Sequence, residues 1–241
     1  NYLGYSDQAS LKFKLSADIT PEAGLFVPYV SGFFDPNGKT ITNLSLNQNT
    51  SNLGFIGYLN GNTRSATQVL NGLKMANASV TGKLNVGTQV GASYLRAITN
   101  ALASGSVTGG DLAYQIDPSD NISGGSSNTG AGNAGGVVGW INAATSGTNA
   151  LDMAISSVNV AGGSNVGGIV GRLNTGTLTN STSSGDVSGA TQIGGMVGRL
   201  YSGSLTGSSS TSVVTGTADY AGGLVGWLES SSALYASSHT A

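Results

Sequence analysis

Few residues in this chain can carry covalent or metal chemistry, and their spacing argues against it. The 241 residues hold one histidine, His239, and no cysteine. A zinc peptidase needs a His-Glu-x-x-His helix, and a serine triad needs a Gly-x-Ser-x-Gly elbow beside its histidine. Neither occurs, so no catalytic residue is assigned, and His239 reads as a frayed terminal residue. The lack of cysteine removes thiol catalysis, disulfides and cysteine metal sites. Aspartates are scattered at Asp18, Asp35, Asp111, Asp117, Asp120, Asp152, Asp186 and Asp219. A carbohydrate-active enzyme would need two carboxylates facing across a groove. Asp186 and Asp219 precede corresponding parts of neighbouring repeats, and Asp117 and Asp120 share one loop. Beside glycine, serine and proline these aspartates read as turn formers. No metal site and no cofactor is expected. The Gly-Gly-x-Gly-x-Asp calcium repeat is absent, and Asp35-Pro36-Asn37-Gly38 lacks the later ligands of a calcium loop.

The residues suited to non-covalent recognition are Tyr58, Trp140, Arg172, Arg199 and Trp227. Flat rings and forked guanidinium donors suit sugars and protein surfaces, and they also pack on one another by cation–π contact. All five occupy one place in a recurring element. It reads Gly135-Gly136-Val137-Val138-Gly139-Trp140-Ile141, then Gly167-Gly168-Ile169-Val170-Gly171-Arg172-Leu173. It returns as Gly194-Gly195-Met196-Val197-Gly198-Arg199-Leu200 and Gly222-Gly223-Leu224-Val225-Gly226-Trp227-Leu228. Weaker copies lie at Leu53 to Leu59, which holds Tyr58, and at Val86 to Gly91. The last glycines fall at 57, 91, 139, 171, 198 and 226. A unit of that length cannot bury its own apolar face and must stack on its neighbours.

Each unit divides into short strand-like pieces. After Gly171 these are Ile169 to Leu173, Gly176 to Thr179 and Asp186 to Ser188, with corners at Asn174-Thr175-Gly176, Ser183-Ser184-Gly185 and Gly189-Ala190-Thr191. The units are too short for helix-pair repeats and poor in helix formers. The expected fold class is all-β: a right-handed parallel β-helix, a three-sided β-solenoid of roughly eight to nine coils and about 40 Å long. It forms one domain over 1–241, with a loop excursion at 111–133. The lack of an initiator methionine or leader pattern makes the chain read as a fragment of a longer protein. An N-terminal strand is expected from the alternation Leu11, Phe13, Leu15.

Period-two alternation puts Phe55, Val137, Ile169, Met196 and Leu224 inward, together with Leu59, Ile141, Leu173, Leu200 and Leu228. The glycine between them lets backbones approach closely. The outward column is then Tyr58, Trp140, Arg172, Arg199, Trp227. Beside it Ile56, Val138, Val170, Val197 and Val225 form a half-exposed apolar stripe, a feature of contact surfaces. A second surface carries Thr177, Thr179, Ser204, Thr206 and Ser232, with Leu234 breaking the rank.

Composition bounds the partners. Net charge is −2 and charged residues are 8%, so no nucleic-acid or anionic-membrane footprint exists. No apolar run is long enough to span a bilayer, so membrane insertion is not expected. Five Asn-X-Ser/Thr sequons occur, at Asn43, Asn49, Asn77, Asn121 and Asn180; in so Asn- and Ser-rich a chain most are chance matches, and a bacterial source would leave them bare.

At the double-glycine elements the chain resembles the GLUG repeat, Gly223-Leu224-Val225-Gly226 most closely. Phe33-Phe34-Asp35-Pro36-Asn37-Gly38-Lys39-Thr40-Ile41-Thr42-Asn43-Leu44 is similar to the run that often precedes such repeats, with Pro36 in place of glycine. The resemblance implies a parallel β-helix of the kind found in filamentous-haemagglutinin-like adhesins and in non-catalytic regions of immunoglobulin-cleaving metallopeptidases. The expected function is therefore a non-enzymatic adhesion or binding module, extracellular or on a bacterial cell surface. Its partner would be a host or cell-surface glycan or protein, met through Tyr58, Trp140, Arg172, Arg199 and Trp227. Open solenoid ends also predict end-to-end self-association. Two alternatives stand beside it: an ice-binding protein using the Ser/Thr face, and a carbohydrate-active β-helix enzyme.

Overall fold

The computed structural model describes residues 12–61, 69–94, 97–109, 132–143 and 149–241. Among them every regular element is a strand. Every strand pairing is parallel. Each strand pairs with the equivalent strand of the coil before and the coil after, giving two large curled sheets and a two-stranded one. This is a β-solenoid. The excursion at 111–133 falls outside the described residues apart from its last two, and Asn133 opens the strand Asn133–Gly135. Leu11 lies outside them too, but Phe13 packs on the core from the strand Lys12–Lys14, which pairs with Phe33–Asp35.

One coil shows how the residues set the path. The strand Val170–Thr179 runs to a corner at Asn180. The short strand Thr182–Ser183 follows, then a bend through Gly185, then the strand Val187–Gly194. The chain next turns at Gly195-Met196 and enters Val197–Thr206. Two expected corners are therefore strand interior. Asn174-Thr175-Gly176 and Gly189-Ala190-Thr191 continue their strands, because small hydroxyl side chains keep the pairing alive. Thr175 Oγ1 donates to Ala143 O at 2.6 Å, and Thr191 Oγ1 to Ser164 Oγ at 3.1 Å.

The double glycine is itself the corner. The N–H groups of Met196 and Val197 both donate to Leu224 O, at 2.9 and 3.0 Å. Ile169 and Val170 share Met196 O in the same way, and Val137 and Val138 share Ile169 O. Two successive donors facing one acceptor interrupt the period-two alternation. Both side chains then enter the core, which corrects the expected half-exposed stripe. Ile56, Val138, Val170 and Val197 are fully buried, and Val225 is partly buried. The following glycine does face inward. A Cβ on Gly171 would lie 2.6 Å from Ala134 N and 2.7 Å from Gly139 O.

A second corner uses left-handed backbone. Gly72, Asn100, Met153, Asn180, Gly207 and Ala236 follow one another coil by coil, all at positive φ. Glycine and asparagine tolerate that region best. Serine staples the next turn. Ser181 Oγ accepts from Ala154 N–H one coil earlier and donates to Thr179 O, and Ser208 does the same for Ser181 N–H and Thr206 O.

The core is a set of stacked aliphatic columns such as Ile141, Leu173 and Leu200, each fully buried, with Ser93 standing between this run and Leu59. Beside them runs a polar ladder. Asn85, Asn133 and Asn165 each donate Nδ2 to the Oδ1 one coil earlier, at 2.7, 2.6 and 2.9 Å, starting from Asn52. These amides replace the water that a buried polar group would otherwise lose.

Candidate functional site

The five residues singled out by the repeat, Tyr58, Trp140, Arg172, Arg199 and Trp227, stand in one column. Strand register runs Tyr29, Tyr58, Ala92, Trp140, Arg172, Arg199, Trp227 along the axis. Parallel strands set neighbours about 4.8 Å apart, so each side chain lies over the next. Ala92 interrupts the aromatic series, and Tyr29 extends it one coil earlier.

The column is more covered than an outward face implies. Arg172 is only 3% exposed, and Tyr58, Trp140, Arg199 and Trp227 are partly buried. Tyr29 and Tyr58 lie parallel with centroids 5.9 Å apart, and Asn60 Nδ2 donates to Tyr29 Oη at 2.7 Å. Burial, then Tyr94 and Tyr29, push the Tyr58 phenol above its ordinary value. At the other end Arg199 sits over the Trp227 ring at 4.8 Å and its Nη2 meets Glu229 Oε1 at 2.7 Å. Tyr201 receives both guanidiniums, Arg172 at 5.6 Å and Arg199 at 5.7 Å. Tyr220 stacks on Trp227 at 4.9 Å. Arg172 Nη2 donates to Asn174 Oδ1 at 3.0 Å. Burial first, then the neighbouring Arg199, pull Arg172 down to about 10.

The decisive local feature is the corner before this column: two glycines, two buried aliphatics sharing one acceptor, and a third glycine against the opposite backbone. Residues 162–188 match the GLUG motif. That span runs from the end of one long strand, through the GLUG corner and the Asn180 corner, into the next coil. Halomucin of Haloquadratum walsbyi (strain DSM 16790 / HBSQ001) is 35% identical over 120 residues, which covers 44% of this chain and 1% of halomucin. The chain thus spans about a hundredth of the curated relative it matches. Among solved structures, a candidate immunoglobulin A1 protease from Bacteroides ovatus superposes with a TM-score of 0.70 at 22% identity. The match covers 95% of this chain and 68% of that one, and it speaks to the fold.

Tyr29, Tyr201, Tyr220, Glu229 and Asn174 complete the site and were not anticipated. Tyr29 escapes because Pro28 replaces the glycine in its coil, so the element is unrecognisable by pattern. Tyr201 follows Arg199-Leu200 directly, and its outward placement was readable from alternation. Tyr220 reaches Trp227 from across a corner, which spacing alone does not reveal. The asparagine ladder had a signal: Asn85, Asn133 and Asn165 each precede the last glycine of a GLUG coil by six residues.

The other sequence candidates disperse. Val187 N–H donates to Val213 O and Gln192 N–H to Asp219 O, so Asp186 and Asp219 are out of step and do not pair across coils. Asp111, Asp117 and Asp120 lie outside the described residues. Among the described residues no three of His, Cys, Asp and Glu are grouped to hold a metal, and no helix is long and apolar enough to cross a membrane. His239 is not frayed: it pairs with Ser210 in the strand Ser238–His239. Thr179 and Thr206 do align, but their rank continues to Asp152 on one side and Tyr235 on the other. Leu234 belongs to the Leu178 and Leu205 column rather than to that rank, and Ser232 caps Leu200 O.

Proposed function

We propose that this chain is a non-enzymatic GLUG solenoid module of a surface-exposed or secreted protein, acting as a spacer and contact surface in adhesion. The observation that supports it is the registered column from Tyr29 to Trp227. A lateral row of rings and guanidiniums at a fixed repeat suits an extended glycan or a protein flank. Four carboxylates among the described residues support the non-enzymatic reading because they are spent on structure. Asp18 Oδ1 accepts from Thr40 N–H, Asp35 Oδ1 from Asn37 N–H, Asp152 Oδ1 from Asn180 Nδ2, and Glu229 pairs with Arg199. The winding is taken as right-handed, the hand of nearly all parallel crossovers. The seven registered rungs and the N-terminal strand favour a coil count near eight.

The test replaces Trp140 and Trp227 together with Ala and measures binding to an array of cell-surface glycans and to whole cells. Loss of about tenfold or more is expected if the rings are contacts. Unchanged binding by a variant with an intact β spectrum would return the column to internal packing.

A further inference from the structure

The two guanidiniums of the column have one carboxylate between them, Glu229. Arg172 and Arg199 sit on adjacent rungs and share the Tyr201 ring, so their charges repel. Glu229 neutralises Arg199. Among the described residues Arg172 meets no carboxylate: it donates to the neutral amide of Asn174. The Nε atoms of both arginines are buried without an acceptor. A cation only 3% exposed, held by the Asn174 amide and the Tyr201 ring with no ion pair of its own, is costly, and the charge of Arg199 works against it. The surroundings are asymmetric. Tyr201 is 37% exposed, Tyr220 is 55% exposed, and the Arg199 and Glu229 side chains keep 15% and 24% of their surfaces in solvent. The cluster therefore has a buried positive charge behind, a half-open ion pair in the middle and ring faces in front.

The geometry points to a binding site for an acidic sugar, its carboxylate held by Arg199 with Arg172 behind it and its ring laid against the exposed Tyr220 and Tyr201. The inference rests on the contact reading above and names its ligand class. Carboxylate matches the fork of an arginine better than any uncharged sugar oxygen does. A sugar is favoured over an acidic peptide because the column is a lateral face. The strands that carry Arg172 and Arg199 are paired on both sides, so where the charges stand no main-chain edge is offered to a peptide, and only side chains are available to recognise the guest. Glu229 already holds the place of the guest carboxylate and must compete with it.

The experiment uses three probes on the whole chain carrying Trp140→Phe, so that emission reports on Trp227. They are tetragalacturonate, its fully methyl-esterified form, and tetraglutamate. Tetragalacturonate is expected to bind about tenfold or more tighter than the ester, the size of one charge-assisted contact. Glu229→Gln should tighten it several-fold by freeing Arg199, and Arg199→Gln should abolish the preference for the acid. A merely structural ion pair predicts no gain from Glu229→Gln, and that result overturns the proposal. Equal binding of acid and ester overturns the acidic class but leaves the column a contact surface. Tetraglutamate binding as tightly as the sugar overturns the sugar. Silence from all three probes overturns it too, while the paired tryptophan test judges the broader reading separately.

Discussion

Met153 is the residue most at odds with its place. It is 46% exposed and holds φ +52 where equivalent coils use Gly72, Asn100, Asn180 or Gly207. Left-handed backbone costs a residue with a Cβ about 1–2 kcal/mol, and asparagine less. Met153→Asn should therefore raise stability by about 1 kcal/mol, read as a higher urea midpoint at unchanged slope. Gly171 shows the opposite case. A methyl there would press on the backbone of Asn133 and Ala134, which cannot swing aside as a side chain can. Gly171→Ala should cost about 2 kcal/mol or more. Arg172 carries a pH signature of definite sign. Its folded pKa of about 10 lies below the ordinary guanidinium value, so its burial cost is fully present at neutral pH. That cost is relieved only as pH rises from about 10 toward the unfolded value.

At the scale of elements, the corners decide the fold more than the strands do. The Asn52, Asn85, Asn133, Asn165 ladder ties one corner of four coils together through amides that have no water to turn to. Asn133→Leu would orphan Asn85 Oδ1 and Asn165 Nδ2 at once. A loss of about 2–4 kcal/mol is expected, with the effect confined to hydrogen-exchange protection of the neighbouring coils. Much of this architecture was legible in the chain. The spacing of the double glycines located the stacked units, and even the degraded copy at Val86 to Gly91 pairs in register with its neighbours. The inward placement of Leu173 and its equivalents, and of Gly171, followed from strand alternation. Alternation failed at Val170 because two N–H groups share one carbonyl, a backbone event with no side-chain signature. It failed again at Asn174-Thr175-Gly176, where the backbone bends, with Gly176 at φ +105, but the pairing with the next coil runs on through the bend. For the site, the five column residues could be read from one position of the repeat. Tyr220 and Glu229 could not, because their contacts cross corners whose angles depend on the whole coil.

At the scale of the whole molecule, the two ends differ. Near the N-terminal end Phe13 and Leu15 lie against the core, and Val30 is 1% exposed. On the last described coil Leu228 is 43% and Leu234 41% exposed, whereas their partners Leu200 and Leu205 are fully buried. An apolar rung with free edges invites another strand layer. The expected outcome for this chain is concentration-dependent association through that face, removed by Leu228→Lys with Leu234→Lys and read by sedimentation. Register also survives unequal coil lengths: the long step from Gly91 to Gly139 leaves Val86 beside Ala134 and Ala92 beside Trp140. A consequence follows for how such a chain can be edited. Because a coil is bonded only to the coil on either side, cutting out one complete turn and rejoining equivalent points leaves every surviving neighbour a familiar mate. Genes of this design can shorten, lengthen or splice in foreign loops by whole turns, and size becomes a quantity that selection sets independently of shape.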